Sequence, residues 1–193
     1  MTGPRRLSQS ISEGDGISLI VPVGDLDGAR AAEDAGAEGL VLTREVEGVR
    51  EATGLPIIWR GPDSAATGLA DGCVLDVAGF DDEDDELERR VVGLDERGLE
   101  CIVEVRDADT IEAALERLDP EIFLLGPGGS EGADAVERVL DLLEDVPAGK
   151  LAIADLRVTT KDEVAELERA GVDAVIVGTS NVSDLVGAPP PEV

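Results

Sequence analysis

Eight short apolar segments recur along the chain, and a segment with helical spacing separates each one from the next. Their first residues are Ile17, Glu38, Leu55, Cys73, Glu100, Glu121, Lys150 and Val172. Each segment is nearly continuously hydrophobic and rich in branched residues, which is typical of strands buried on both faces. Strict alternation of strand and helix predicts a parallel sheet with right-handed crossovers. Eight such units favour a closed (β/α)8 barrel over an open doubly wound sheet.

The segments between the strands carry helix start signals. Asp25, Asp109 and Thr160 stand where an N-cap acceptor would satisfy the first free amides of a helix. Barrels of this type commonly have about 250 residues. Because this chain has 193 residues, we expect minimal loops and no N-terminal extension domain. The predicted organisation is a short N-terminal arm over residues 1–16, a barrel over 17–187 and a frayed C-terminal tail over 188–193.

Composition excludes several classes of function. The chain has 44 acidic and 16 basic residues, a formal charge of −28 and no histidine. A surface with this much negative charge repels phosphate backbones and anionic membranes. We therefore expect neither nucleic acid nor a membrane as partner. The lack of histidine excludes histidine bases, histidine metal ligands and Ser-His-Asp triads. Cys73 and Cys101 are too few for a disulfide framework, and we interpret them as buried, reduced thiols in a cytoplasmic monomer.

Polar residues are predicted to meet at the carboxyl ends of the strands, where active sites form in this fold. Alternation along the strands directs Arg60, Asp76, Glu104 and Asp155 inward at that end, and Arg157 follows just beyond. One interpretation is an anion-binding or acid–base site, because crowded carboxylates in a cleft have shifted pKa values. The other is a salt-bridged polar plug in a barrel that does no chemistry. The acids lack the diagnostic spacing of a metal site, so we expect no metal and no cofactor.

A glycine-containing turn follows the eighth predicted strand. Gly178, Thr179 and Ser180 open a short helix there. The loops after the seventh and eighth strands are the usual phosphate site of this fold, so the turn is a candidate for phosphate binding. The turn over residues 126–130 is also glycine-rich, and we interpret it as a tight turn.

Two stretches of the chain resemble a known enzyme family. Residues 102–107 (IVEVRD) with 109–115 (DTIEAAL), and residues 162–178, are similar to the fifth and the seventh-to-eighth units of indole-3-glycerol phosphate synthase. Residues 41–43 and 55–58 match its second and third strands. The resemblance covers residues 28–182. It implies a (β/α)8 barrel and a lyase of tryptophan biosynthesis, which closes an indole ring with loss of carbon dioxide and water.

The resemblance also implies roles for individual residues. Glu104 falls on a catalytic glutamate of the family, Asp155 falls on the glutamate of the seventh strand, and Arg60 falls on the general-acid lysine. Arginine keeps the positive charge but is a very poor proton donor near neutral pH. We therefore expect a divergent, shortened relative with little or no classical synthase activity. It would bind a small phosphorylated or carboxylated ligand through Arg157 and the turn at residues 178–180, with Arg60 assisting.

Two other functions remain open at this point. The chain could be a non-catalytic barrel, serving as a scaffold or persisting as a vestige. It could also be a different lyase or isomerase with Glu104 or Asp155 as the base. Fold-level analogy does not choose among these alternatives.

Overall fold

Eight parallel strands close into a barrel in which every strand pairs with its sequence neighbours, and β1 pairs with β8. The computed structural model describes residues 6–14, 16–79, 85–178 and 182–185. The strands are β1 (Ser18–Pro22), β2 (Gly39–Leu42), β3 (Ile57–Trp59), β4 (Gly72–Asp76), β5 (Glu100–Val105), β6 (Ile122–Leu125), β7 (Leu151–Asp155) and β8 (Ala174–Ile176). The predicted (β/α)8 barrel is confirmed, and each strand lies within one of the predicted apolar segments or within a residue of it.

Helices follow seven of the eight strands. They are α2 (Leu26–Asp34), α3 (Val49–Ala52), α4 (Glu86–Glu96), α5 (Ala108–Arg117), α6 (Ala133–Leu143), α7 (Lys161–Ala170) and α8 (Val182–Leu185), and α1 (Arg6–Glu13) precedes β1. Between β3 and β4 the described chain has only a 3-10 turn, Asp63–Ala65, and a second such turn, Val77–Gly79, follows β4. The third unit is therefore the shortest crossover between two strands of the barrel.

Two of the three predicted helix caps are confirmed. Asp25 accepts a hydrogen bond from the Gly28 amide, and Thr160 forms a reciprocal capping box with Glu163. The prediction of Asp109 as the cap of the fifth helix was wrong. Asp107 is the cap, with Oδ1 2.8 Å from the Thr110 nitrogen, and Asp109 lies within the first turn. Asp107 and Asp109 both carry a carboxylate that can accept from a helix amide. Asp107 is the cap because its backbone is extended, as is typical of an N-cap residue, whereas Asp109 already lies within the helix.

The apolar core has two layers. The larger one lies between strands and helices and contains the two aromatic side chains of the described residues, Trp59 and Phe123. The smaller one takes one or two aliphatic residues from every strand and fills the barrel itself: Ile20, Val41, Ile58, Val74, Ile102, Ile122, Leu124, Ile153, Ala174 and Ile176. Branched side chains pack such an interior without large voids.

Helix α1 covers the amino-terminal end of the barrel. Leu7 and Ile11 are buried and belong to the same cluster as the barrel interior. The Glu100 carboxylate accepts hydrogen bonds from the amides of Leu7 and Ser8 at 2.9 and 3.2 Å, which satisfies free N–H groups in the first turn. The sequence pattern did not predict this helix within the arm at residues 1–16. The predicted tail at 188–193 lies outside the described residues.

The two cysteines are register partners on β4 and β5. Both are free thiols, with Cys73 buried and Cys101 partly buried. Burial raises the pKa of Cys73 to about 11 and that of Cys101 to about 12. Both thiols are therefore protonated at neutral pH.

Among the described helices, none is both long and apolar enough to cross a bilayer.

Candidate functional site

Four of the predicted site residues lie at the carboxyl ends of their strands. Arg60 follows β3 directly, Asp76 and Asp155 end β4 and β7, and Glu104 is the fifth residue of β5. Each lies two residues after a side chain of the barrel interior, so the alternation of the strand turns it toward the barrel axis. This end of the barrel is called the mouth below.

Five side chains at the mouth form one chain of ion pairs. Arg60 donates through Nη1 to Asp155 Oδ2 at 2.5 Å and through Nη2 to Glu104 Oε1 at 2.6 Å. Arg106 donates through Nη2 to the same Glu104 oxygen at 2.8 Å and through Nη1 to Asp76 Oδ2 at 3.2 Å. We call these five residues the mouth network. It holds three carboxylates and two guanidinium groups.

The carboxylate at the centre of the network is far less exposed than its partners. The Glu104 side chain is 7% exposed, whereas Arg60 and Arg106 are 32% and 45% exposed. Burial on its own would lower the pKa of Arg60, but attraction and hydrogen bonds from Asp155 and Glu104 together outweigh it and raise the pKa. Both arginines therefore stay charged, and a buried carboxylate is compensated on two sides.

Arg157 does not join the network, contrary to the grouping expected from its position. Its side chain is exposed two residues beyond the end of β7, and it forms no ion pair with a carboxylate of the described residues. Arg106 takes the place of the second arginine. The two-residue period of β5 could have predicted the position of Arg106. Arg106 is two residues after Glu104, and this spacing puts both side chains on one face of the strand.

Gly178 and Arg157 occupy corresponding positions after their strands. Asp155 and Ile176 are register partners on β7 and β8, Arg157 is two residues after Asp155, and Gly178 is two residues after Ile176. A Cβ atom built on Gly178 would meet no atom of the described residues within 4 Å. Thr179 and Ser180 lie outside the described residues. Arg157 and Gly178 thus form the described part of the predicted phosphate site.

The turn over residues 126–130 borders the mouth network. Ser130 donates its amide to the Pro127 carbonyl at 3.0 Å, and Gly128 and Gly129 have φ values of 60° and 98°. These left-handed conformations favour glycine and explain the composition of the turn. A Cβ at Gly126 would lie 3.4 Å from Arg106 Cγ and 3.9 Å from Glu104 Oε1.

Two cavities lie away from the mouth. One of about 410 Å³ lies near the amino ends of β5 and β6 and is lined by Val91, Leu99, Cys101 and their neighbours. The other, of about 520 Å³, lies between α6 and α7. Neither is lined by a residue of the mouth network. Within the part of the chain that the structure describes, no three or more acidic or cysteine side chains are grouped to hold a metal ion.

Comparison with known proteins finds relatives but no matching family model. The chain is 34% identical to indole-3-glycerol phosphate synthase of Variovorax paradoxus over 117 residues, which are 60% of this chain and 42% of that protein. It is 29% identical to the enzyme of the same name from Acidithiobacillus ferrooxidans over 176 residues, 80% of this chain and 65% of that protein. The chain thus spans less than two thirds of the length of these relatives.

A solved structure supports the fold independently. N-acetylmannosamine-6-phosphate 2-epimerase from Clostridium perfringens superimposes with a TM-score of 0.65, covering 85% of this chain and 87% of that one. The sequence identity is 16%, so this likeness concerns the fold alone. The resemblance predicted from the motifs is confirmed: this chain is a (β/α)8 barrel similar in sequence to indole-3-glycerol phosphate synthase.

Proposed function

We propose that this protein is a divergent barrel of the indole-3-glycerol phosphate synthase type that binds a small phosphorylated or carboxylated ligand at its mouth, with little or no classical synthase activity. The observation that carries the proposal is Arg157, an exposed arginine at the mouth without a carboxylate partner among the described residues. In a chain with 44 acidic and 16 basic residues, most guanidinium groups have a carboxylate within reach. The proposal takes the chain as a cytoplasmic monomer without a nucleic-acid or membrane partner.

The state of Arg60 supports the loss of synthase chemistry. It stands where the family has its general-acid lysine, and its ion pairs with Glu104 and Asp155 raise its pKa further. A guanidinium with a raised pKa does not release a proton near neutral pH. Glu104, the counterpart of a catalytic glutamate, accepts hydrogen bonds from two arginines through its Oε1 atom. The general acid of the family is thus replaced by a group that keeps its proton, and the counterpart of the catalytic glutamate is held in two ion pairs.

The surroundings of Arg157 support anion binding. A guanidinium binds phosphate or carboxylate through two parallel N–H groups. Arg157 and Gly178 each follow by two residues a member of the register pair Asp155 and Ile176, and a Cβ on Gly178 would meet no atom of the described residues within 4 Å. A phosphate group between the ends of β7 and β8 would meet the Arg157 guanidinium from one side and the backbone of Gly178 from the other. The loops after these two strands are the usual phosphate site of the fold.

Isothermal titration at low ionic strength tests the proposal. The ligands are indole glycerol phosphate, its carboxylated precursor and inorganic phosphate. We expect Arg157→Ala to weaken binding about tenfold, the effect of losing a charge-assisted contact. The matched control is Arg169→Ala, which removes an exposed arginine of α7 and should leave the affinity unchanged. No heat with any of the three ligands would sink the proposal.

A non-catalytic barrel is the second candidate. The observation in its favour is the mouth network, in which every charge has a partner of opposite sign. The same titration separates the two candidates, because a scaffold or vestigial barrel would bind none of the three ligands.

A further inference from the structure

We infer that the Glu104 carboxylate is a built-in ligand: it occupies an anion site formed by Arg60 and Arg106 and thereby limits the affinity of the mouth for anions from solution. The inference rests on the proposed function, since it concerns the same mouth. It assigns Glu104 a role other than catalysis, and it makes Arg60 and Arg106 a second anion site beside Arg157.

The geometry of one oxygen atom carries the inference. Glu104 Oε1 accepts from Arg60 Nη2 at 2.6 Å and from Arg106 Nη2 at 2.8 Å. Two guanidinium groups that converge on one point are the arrangement by which proteins bind an oxygen of a carboxylate or phosphate. Here the oxygen belongs to the protein. The chemistry that recognises it would equally recognise a small oxyanion.

The outer ends of the two arginines are held in place by other acids. Arg60 Nη1 is bound to Asp155 and Arg106 Nη1 to Asp76, so neither arginine depends on Glu104 alone for its position. Removing the Glu104 carboxylate would leave both Nη2 groups directed at the vacated point. The formal charge of the network would change from −1 to 0, which removes repulsion toward an incoming anion.

Room for an external anion at this point comes from the Glu104 side chain itself. Residue 126 is glycine, and a Cβ there would be 3.4 Å from Arg106 Cγ and 3.9 Å from the Glu104 oxygen. The backbone therefore passes close to the site without a side chain to fill it. Shortening Glu104 to alanine would add the volume of a carboxylate group to this space. The ligand class that fits is a small monocarboxylate or an inorganic phosphate.

Competition follows from this arrangement. An anion that approaches the mouth can bind Arg157 without displacing a carboxylate of the described residues. It reaches Arg60 and Arg106 only by displacing Glu104, whose effective concentration at the site is high because it is part of the same chain. The wild-type mouth therefore binds anions more weakly than Arg60, Arg106 and Arg157 would permit.

The first experiment measures phosphate affinity by isothermal titration of the full chain. We expect Glu104→Gln to bind inorganic phosphate at least about tenfold more tightly than wild type, because a competing charge is lost. Glu112→Gln, which removes the same charge from the exposed face of α5, is the matched control and should match wild type. The gain should disappear in the double variant Glu104→Gln/Arg60→Gln.

The second experiment uses acetate and formate as probes of the vacated site. We expect either anion to raise the melting temperature of Glu104→Ala, with no such rise in wild type or in Glu112→Gln at the same ionic strength. Where Glu104→Ala does not fold, the phosphate affinity of Glu104→Gln decides, because glutamine keeps the size of the side chain.

The outcomes separate this inference from the proposed function. Equal phosphate affinity in Glu104→Gln and wild type, with no acetate effect on Glu104→Ala, would overturn the inference. If that equal binding is still weakened by Arg157→Ala, the proposed function stands. Conversely, phosphate binding by Glu104→Gln that needs Arg60, with none by wild type, would support the inference and overturn the proposed function.

Discussion

The two ends of the barrel use the same residue type in opposite ways. At the amino end, each of four carboxylates accepts a hydrogen bond from a backbone amide: Glu38 from Leu19, Asp71 from Ile57, Asp173 from Ala152 and Glu100 from the first turn of α1. Among these four, Asp71 also forms an ion pair with Arg50 at 2.7 Å. At the mouth, carboxylates accept from guanidinium groups. An amide fixed in a strand cannot rotate away from its acceptor, whereas an arginine side chain can exchange one anion for another.

The covering of the two ends differs as well. The amino end is closed by α1, whose Leu7 and Ile11 continue the apolar interior. The mouth is lined by charged side chains, and two of its arginines are about a third to a half exposed. The amino end is thus closed by apolar packing, whereas the mouth presents partly exposed charges at the end of the barrel where binding sites of this fold generally lie.

The largest effect on the free energy of unfolding is expected from helix α1, whose apolar residues cover the amino end of the barrel. Leu7 is fully buried in the barrel interior. Leu7→Ala should lower the free energy of unfolding by about 3 kcal/mol, because lost burial and a residual cavity add up. Urea unfolding followed by circular dichroism measures this change. Gln9→Ala, on the exposed side of the same helix, is the control and should change the value by less than about 0.5 kcal/mol. Equal effects would show that α1 does not seal the barrel.

A smaller effect is expected from the mouth network. Arg60→Ala removes the ion pair of Asp155 with Arg60 and leaves Glu104 paired with Arg106 alone. We expect a loss of about 2 kcal/mol in the free energy of unfolding, less than for a fully buried pair because Arg106 remains. Arg157→Ala should leave stability within about 0.5 kcal/mol, since its side chain is exposed. Chemical denaturation of wild type, Arg60→Ala and Arg157→Ala in parallel measures these changes. Equal stability of Arg60→Ala and wild type would show that the mouth network does not stabilise the fold.

The smallest effect is expected at an amino-end carboxylate. Burial raises the pKa of Asp173 above its ordinary 3.8, against the opposing hydrogen bond from the Ala152 amide. A raised pKa in the folded state means that the charged form costs stability above that pKa, and that the cost vanishes below the unfolded pKa. Asp173→Asn should therefore raise stability at neutral pH by less than about 1 kcal/mol, since an amide oxygen still accepts from Ala152.

The pH dependence makes this last prediction specific. The advantage of Asp173→Asn over wild type should shrink as the pH falls through the raised pKa of Asp173, and it should vanish below the ordinary value of 3.8. Melting curves from neutral to acidic pH measure it. Asp95→Asn, at an exposed position on α4, should show no such trend. A stabilisation that is independent of pH would argue against burial as its cause.

Much of the mouth could be predicted because strand alternation is a local rule. Arg60, Asp76, Glu104 and Asp155 each follow an interior residue by two positions, and the structure brings all four together. Arg106 obeys the same rule and was missed because it lies just beyond the last residue of β5. Helix α1 was missed for a different reason. Its apolar residues are few, and they become meaningful only when the open end of a barrel is there to receive them.

The eight-stranded barrel could be predicted from the sequence alone, because an apolar run depends on a few neighbouring residues and eight such runs recur along the chain. Only the tertiary structure decided which charges are paired. Arg60 bonds to residues 44 and 95 positions further along the chain, whereas Arg157, two residues from Asp155, takes no part in the network. Closure of the barrel sets these distances, and no local pattern encodes them. The competition that we propose between the Glu104 carboxylate and an anion from solution depends on these distances.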